Sequence, residues 1–207
     1  LGLATRQGLA SQTGHQPHRK QWVAASLSHN TLIVDGEEPD DETGYPEEPI
    51  DFPATPIHYD GDGKVQLIDL ECDKVYDTAD IYRRTMVMVD VNDEISYGVD
   101  FFKVKGGKDH LYTFHALSQE IADTENLNLT GQVDENGNYV GSYAGPDVQW
   151  GEDPNSPNVS VYKTQYLRGA TWLNNIDRDA NAGNNFAVDF KIRDFNYVLY
   201  EPFALNL

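Results

Sequence analysis

Short runs of β-branched and aromatic residues, each closed by a Gly, Asn or Asp turn, limit the folds that this chain can adopt. Residues 81–91 and 94–104 are two such runs, and they flank Asn92-Asp93, a sequence suited to a hairpin turn. Asn136-Gly137, between Val133 and Tyr139, is a second hairpin signal. Strands joined by tight turns pair with their neighbours in sequence, so the pattern predicts antiparallel sheets.

The rest of the chain repeats this pattern with few exceptions. Further strands are predicted over residues 26–35, 64–76, 110–117, 159–167 and 186–200, and the one helical candidate covers residues 117–125. Many short strands separated by turns favour an all-β fold, an antiparallel β-sandwich with two large sheets and few or no helices. A chain of 207 residues is long enough for one core, so we expect a single β-sandwich domain over residues 1–207.

The charge of the chain excludes several partners. Asp and Glu number 34 against 15 Lys and Arg, which gives a formal net charge of -19. Nucleic acid needs a basic surface, so we expect no nucleic-acid partner. No apolar run approaches the roughly 20 residues of a membrane span, so no membrane partner is expected either. The single cysteine, Cys72, rules out an internal disulfide and a Cys-rich zinc module.

The acidic residues are distributed unevenly along the chain. Residues 1–34 contain no acidic side chain, whereas residues 35–51 contain nine and no basic one. Prolines within and just beyond this acidic stretch exclude a helix or a central strand, so we interpret it as a solvated loop, with a calcium site as the alternative. The acidic turns at 60–63 and 134–137 do not fit the twelve-residue calcium loop, so we interpret them as ordinary turns.

The acid-free segment holds three histidines, His15, His18 and His29, together with Trp22. A histidine can ligate zinc through a neutral ring nitrogen or act as a general base near neutral pH. The alternative is an exposed or hydrogen-bonded strand residue. Trp22 has two interpretations of equal weight, a stacking platform for a sugar ring or a member of the core.

Arg83 and Arg84 are a second candidate pair. Neighbouring residues of a strand point to opposite faces, so only one of the two can face a given site. The planar guanidinium group suits a carboxylate or a sulfate because it donates two parallel hydrogen bonds. The alternative is pairing with one of the many acidic side chains on a solvated strand face.

Residues 28–36, Ser-His-Asn-Thr-Leu-Ile-Val-Asp-Gly, resemble the His-Asn-Thr-Val-x-Val-Asp-Gly segment of heparinase II/III-like proteins. These proteins are polysaccharide lyases and their relatives. Pro17-His18 and Trp22 precede the segment here, as a Pro, a His and a Trp often do in the family. Five later segments are also similar to the family and follow in its order: 82–85, 97–100, 110–115, 141–147 and 187–192.

The resemblance implies an enzyme with two parts, an N-terminal toroid of helices and a C-terminal antiparallel β-sandwich. This chain resembles the sandwich alone, a C-terminal fragment whose partners are the helical domain of the same chain and an anionic polysaccharide. Such enzymes cleave uronate-containing polysaccharides by β-elimination, in which a base removes the proton beside the carboxylate and an acid protonates the leaving oxygen. The substrate class implies a periplasmic or secreted bacterial protein.

The resemblance also assigns roles to individual residues. His29 matches a zinc ligand of the family, while the other expected ligands, a His and an Asp, lie upstream, so zinc belongs to the full-length protein and its ligand set is incomplete here. Thr13-Gly14-His15 occupies the region of the family's tyrosine, which leaves His15 and His18 as catalytic candidates. The substrate-binding candidates are Trp22, Asn30 and Arg84. The fragment alone is expected to be inactive. The alternative is a non-catalytic carbohydrate-binding or structural β-sandwich module.

Overall fold

A computed structural model describes residues 19–23, 25–39, 54–72, 75–116, 120–152 and 166–191. Its elements are mostly strands with antiparallel pairing, so the predicted all-β class is confirmed. The helical elements of these ranges are single turns, a π-helical one at Arg19–Val23 and two 3₁₀ ones at Ser26–Ser28 and Ala170–Trp172. No helix in the described ranges has the length and hydropathy that spanning a membrane requires.

The chain divides into two compact units. The first comprises Leu1–Glu38 and Leu111–Leu207, and the second comprises Pro39–His110. The sandwich arrangement with two large sheets, and the single domain over residues 1–207, stay predictions.

The second unit contains a four-stranded antiparallel sheet in the order β2-β3-β4-β5. Its strands are β2 (Thr55–Asp60), β3 (Val65–Glu71), β4 (Ala79–Asp90) and β5 (Ser96–Gly106). The predicted hairpin between β4 and β5 is confirmed. The Asn92 side-chain oxygen accepts hydrogen bonds from the N–H groups of Glu94 and Ile95, both at 2.9 Å, and this bonding closes the turn.

The first unit contains three two-stranded sheets among its described residues. The first sheet pairs β1 (Leu32–Val34) with β6 (His110–Tyr112), which begins at the boundary between the units. The second pairs β7 (Ile121–Glu125) with β10 (Ala187–Phe190). The third pairs β8 (Thr130–Gly131) with β9 (Asp177–Arg178). Val133 bridges to Tyr139 across the predicted Asn136-Gly137 turn, which confirms that hairpin signal. The buried core of this unit consists of Trp22, Val23, Leu27, Ile33, Leu111, Ala170 and Leu173.

Two sequence predictions about these elements are wrong. The helix predicted over residues 117–125 is a strand where the structure describes it, because residues 121–125 pair along β10. The pairing of these residues with a distant strand outweighs their local preference for a helix. The strand predicted over residues 26–35 is reduced to β1, because Ser26–Ser28 forms a 3₁₀ turn. The Ser28 hydroxyl donates to the carbonyl oxygen of Ala25 at 2.9 Å, a local bond that competes with strand pairing.

Other strand predictions are right over part of their length. The strand predicted over residues 64–76 ends at Glu71, and of residues 186–200 the structure describes β10 and no strand beyond it up to residue 191. Residues 159–165 and most of the acidic loop, residues 40–51, lie outside the described ranges.

Candidate functional site

The segment that resembles the lyase family lies in the first unit and begins with a short polar turn. Glu38 lies across this turn, where both of its carboxylate oxygens accept hydrogen bonds from the Ser26 N–H, at 3.0 and 3.1 Å. The Ser26 hydroxyl donates to the same carboxylate at 2.9 Å. Burial raises the pKa of Glu38 above its ordinary value, although the positive charge of Arg168 and the bonds from Ser26 act in the opposite direction. Glu38, two residues after the segment, is therefore bonded to Ser26, two residues before it.

His29 has one ring nitrogen held by the backbone. Its Nδ1 lies 2.9 Å from the carbonyl oxygen of Ala25, which can only accept, so Nδ1 carries the proton in this contact. In the neutral ring the lone pair is then on Nε2, for which no hydrogen-bond partner is found within the described ranges. A carbonyl that fixes one ring nitrogen and leaves the other as donor is the usual arrangement around a metal-ligating histidine.

His29 has no companions that would complete a zinc site in the described part of the chain. Those residues contain no group of three or more His, Cys, Asp or Glu side chains that could hold a metal ion. A structural zinc ion requires four ligands. The donor chemistry of His29 therefore fits zinc, but the described residues supply no set of ligands that would complete the site.

Asn30 and Thr113 join the segment to the chain that follows β6. The Asn30 side-chain oxygen accepts a hydrogen bond from the His115 N–H at 2.6 Å, and its amide group lies 3.5 Å from the His115 carbonyl oxygen. The Thr113 hydroxyl donates to the carbonyl oxygen of His29 at 2.5 Å and accepts from the Thr31 N–H at 3.2 Å. Both side chains are buried. We call this set of bonds, formed by residues 29–31 and 113–115, the polar clasp.

His115 is a buried residue that the sequence did not single out as a site residue. Its Nε2 donates to the carbonyl oxygen of Leu27 at 2.8 Å, and its Nδ1 has no hydrogen-bond partner among the described residues. The ring lies edge-to-face with Trp22, with 6.1 Å between centroids. Burial lowers the pKa of His115 to about 4, and this effect is larger than the opposing effect of the hydrogen bond to Leu27, which raises the pKa. The strand predicted over residues 110–117 is the signal that could have located it, because residues two apart in a strand share a face and Leu111 is apolar.

The tight turn after β1 explains the Asp-Gly pair that ends the segment. Asp35 and Gly36 both have positive φ, 53° and 69°, which Gly and Asp tolerate better than most residues. A Cβ on Gly36 would lie 2.2 Å from the ring of Tyr166, so only glycine fits beneath that ring. The Leu167 N–H donates to the Gly36 carbonyl oxygen at 2.7 Å, and Tyr166 remains 63% exposed. An exposed phenol is therefore fixed against the segment.

The other candidate residues of the sequence have varied surroundings. His15 and His18 lie outside the described ranges. Trp22 is 1% exposed and belongs to the core, which favours the second of its two interpretations. Arg84 lies on β4 of the second unit and donates to both carboxylate oxygens of Asp100, at 2.9 and 2.8 Å, while its guanidinium group stacks on the Phe102 ring. This is the paired arrangement that was the alternative for Arg84.

Comparison with known proteins adds no relative to these observations. No protein-family model matches the chain, and no curated protein matches it. The resemblance to heparinase II/III-like proteins therefore remains a hypothesis that depends on the motif residues.

Asn30→Ala should destabilise the chain, because it leaves the buried N–H of His115 without an acceptor. We expect the free energy of unfolding, measured by urea denaturation at pH 7, to fall by about 1–3 kcal/mol. The control is Asn174→Ala, an exposed asparagine of the same unit, for which a change within about 0.5 kcal/mol is expected. Equal losses in the two variants would contradict a structural role for Asn30.

His115 should make the chain less stable in acid. Its pKa in the folded state, about 4, is below the ordinary value of 6.5, so the folded state binds its proton less readily than the unfolded state. The corresponding stability is fully present above pH 6.5 and is lost as the pH falls towards 4, a loss of about 3 kcal/mol. Urea denaturation of the wild-type chain and of a matched variant between pH 4 and 8 measures this loss as the difference between the two.

The matched variant is His115→Gln, whose side-chain amide can still donate to the Leu27 carbonyl oxygen but does not titrate. Glu38, with its raised pKa, contributes in the opposite direction, because its share of stability is lost as the pH rises from 4.5. The difference between wild type and variant removes this common contribution. Parallel pH profiles for the two proteins would show that His115 is not the buried neutral group described above.

Proposed function

We propose that this chain is the β-domain of a polysaccharide lyase that cleaves uronate-containing polysaccharides by β-elimination. The observation that carries the proposal is the His-Asn-Thr segment. Its asparagine and threonine belong to the polar clasp or its immediate contacts, while the His29 ring keeps Nε2 for a ligand. The segment thus combines a fixed backbone with one donor atom of the kind that the family resemblance assigns to zinc.

The proposal places the reacting groups outside the described ranges. His18 or His15 would act as the base or the acid, and a helical domain of the same chain would supply the rest of the cleft. His29 would be one zinc ligand, with the other ligands upstream, and a bound zinc ion would order that part of the protein. The substrate implies a periplasmic or secreted bacterial location.

A second candidate function, a structural β-module without catalysis, is favoured by a specific observation. Three residues expected to bind substrate are engaged in the fold: Trp22 in the core, Asn30 in the polar clasp and Arg84 with Asp100. Side chains used in this way stabilise the domain and are not available to a sugar. Absence of unsaturated product from the longer protein distinguishes this function from the lyase.

The lyase proposal is tested by expressing the chain with and without the coding sequence upstream of Leu1. Both proteins are incubated with alginate, polygalacturonate, hyaluronan and heparan sulfate, and the ultraviolet absorbance of the unsaturated product is followed. We expect product from the longer protein and none from the 207-residue chain, because the cleft needs the helical domain. Product from the shorter chain, or none from the longer one on any polymer, would count against the proposal.

The catalytic assignment has its own variants within the same assay. His18→Ala should lower the rate of the longer protein by about 10²–10⁴-fold, the usual contribution of a general acid or base. His110→Ala is the control, since His110 is exposed in the second unit and contacts the Gly106 carbonyl oxygen. A His18 variant as active as the His110 variant would remove His18 from the mechanism.

A further inference from the structure

A four-residue turn of the first unit holds an exposed tryptophan in a fixed position. The turn, residues 149–152, is closed by the bond from the Glu152 N–H to the Gln149 carbonyl oxygen at 3.0 Å. The Glu152 carboxylate folds back and accepts from the Gln149 N–H at 3.1 Å. The Gly151 N–H donates to the Thr171 carbonyl oxygen at 2.7 Å, which fastens the turn to the 3₁₀ turn Ala170–Trp172. Trp150 is therefore on a rigid support.

The indole ring of Trp150 is held as firmly as its backbone. Its Nε1–H donates to the carbonyl oxygen of Trp172 at 3.1 Å, and the two rings pack edge-to-face with 5.2 Å between centroids. The Nε1–H of Trp172 in turn donates to the side-chain oxygen of Gln21 at 3.0 Å, beside the core residue Trp22. Both indole N–H groups are thus directed inward. Trp150 is nevertheless 55% exposed.

Exposing a large apolar ring to water is unfavourable in free energy. A ring that is exposed and also fixed in position is therefore well suited to stack against a flat ligand. Because its position is already set, a ligand that stacks on it does not have to order the side chain. The exposed part of the indole is an aromatic surface without a free N–H. The C–H face of a pyranose ring is complementary to such a surface.

The charge near the turn selects among sugars. The Glu152 carboxylate is held in the same turn as Trp150, and Asp147 precedes Trp150 by three residues. These negative charges repel a uronate or a sulfate group, but they accept hydrogen bonds from hydroxyl groups. A cationic ligand would also be attracted, but recognition of quaternary ammonium groups uses a cage of aromatic faces. Trp150 and Trp172 are in direct edge-to-face contact, with 5.2 Å between centroids, so these two rings leave no space between them for a cation.

We propose that Trp150 is the stacking platform of a subsite for a neutral sugar ring, with Glu152 accepting from its hydroxyl groups. The choice of a sugar as ligand rests on the proposed function, in which the partner is a polysaccharide. The preference for an uncharged sugar follows from the carboxylates of Glu152 and Asp147, which repel anionic groups. The subsite would bind an uncharged unit of the polymer or of a neighbouring glycan.

The test measures binding of defined hexasaccharides to the 207-residue chain. The probes are neutral hexamers of glucose, mannose, xylose and galactose, the acidic hexamers of mannuronate and galacturonate, and tetramethylammonium as a cation. Isothermal titration gives the Kd, and saturation-transfer NMR identifies the sugar protons that contact the protein. We expect at least one neutral hexamer to bind, with transfer to ring C–H protons and weaker binding of the uronates.

Three variants connect the binding to Trp150. Trp150→Ala should weaken the neutral hexamer about tenfold, and Trp150→Phe, which keeps an aromatic face, should weaken it less. Tyr139→Ala is the control, since Tyr139 is another aromatic residue of the same unit and is 45% exposed. The Kd of this variant for the neutral hexamer should match that of the wild type. Circular dichroism confirms that each variant is folded.

Four results would overturn the assignment: no binding of any neutral hexamer, an unchanged Kd in Trp150→Ala, equal or tighter binding of uronates through Trp150, or binding of tetramethylammonium there instead. The assay needs no turnover, so it is independent of the lyase test. Failure of the lyase proposal would appear as absence of unsaturated product with neutral-sugar binding intact. Failure of the subsite would leave product formation by the longer protein unchanged.

Discussion

Hydrogen bonds between residues 29–31 and 113–115 hold together parts of the chain that are more than 80 residues apart in sequence. The Thr113 hydroxyl bonds the His29 carbonyl oxygen, the Thr113 N–H donates to the Thr31 carbonyl oxygen at 2.8 Å, and Asn30 accepts from the His115 N–H. Buried backbone groups are costly unless they are paired, so each of these side chains satisfies a need of the fold. The hydrophobic core around Trp22 and Leu27 lies against the same residues.

Most of the described contacts of the His-Asn-Thr segment stabilise the fold, while one atom of it is available to a ligand. Asn30 is used to pair the backbone, and the Asp35-Gly36 turn is shaped by backbone geometry and by the ring of Tyr166. The Nε2 atom of His29, by contrast, has no hydrogen-bond partner among the described residues. A ligand site built on this segment would therefore have a rigid base on which one donor atom is already oriented, as metal sites require.

The sequence predicted those elements whose causes are local. The β4–β5 hairpin was predictable because Asn92 accepts from N–H groups only two and three residues later. The 3₁₀ turn at Ser26–Ser28 was missed in part because Glu38, twelve residues away from Ser26, bonds its N–H and hydroxyl. β7 was mistaken for a helix because its strand partner, β10, lies more than 60 residues further along the chain. Sequence patterns contain turn chemistry but not such distant partners.

In the candidate site, too, the sequence identified residues of a continuous motif but not their distant partners. His29 and Asn30 were recognised because they lie in one continuous motif, whereas the partner of Asn30, His115, lies 85 residues away from it in the chain. Trp150 could not have been singled out from the sequence. Its fixed orientation depends on bonds to Thr171 and Trp172, which the fold alone brings close.

The two histidines are held in opposite tautomers by carbonyl oxygens of one turn, Ala25 for His29 and Leu27 for His115. Long-range ¹H–¹⁵N correlation NMR of the ¹⁵N-labelled chain at pH 7.5 reports these tautomers directly. We predict a protonated Nδ1 with a free Nε2 for His29, and a protonated Nε2 with a free Nδ1 for His115. A protonated Nε2 on His29, or rapid exchange between tautomers at either ring, would contradict the account.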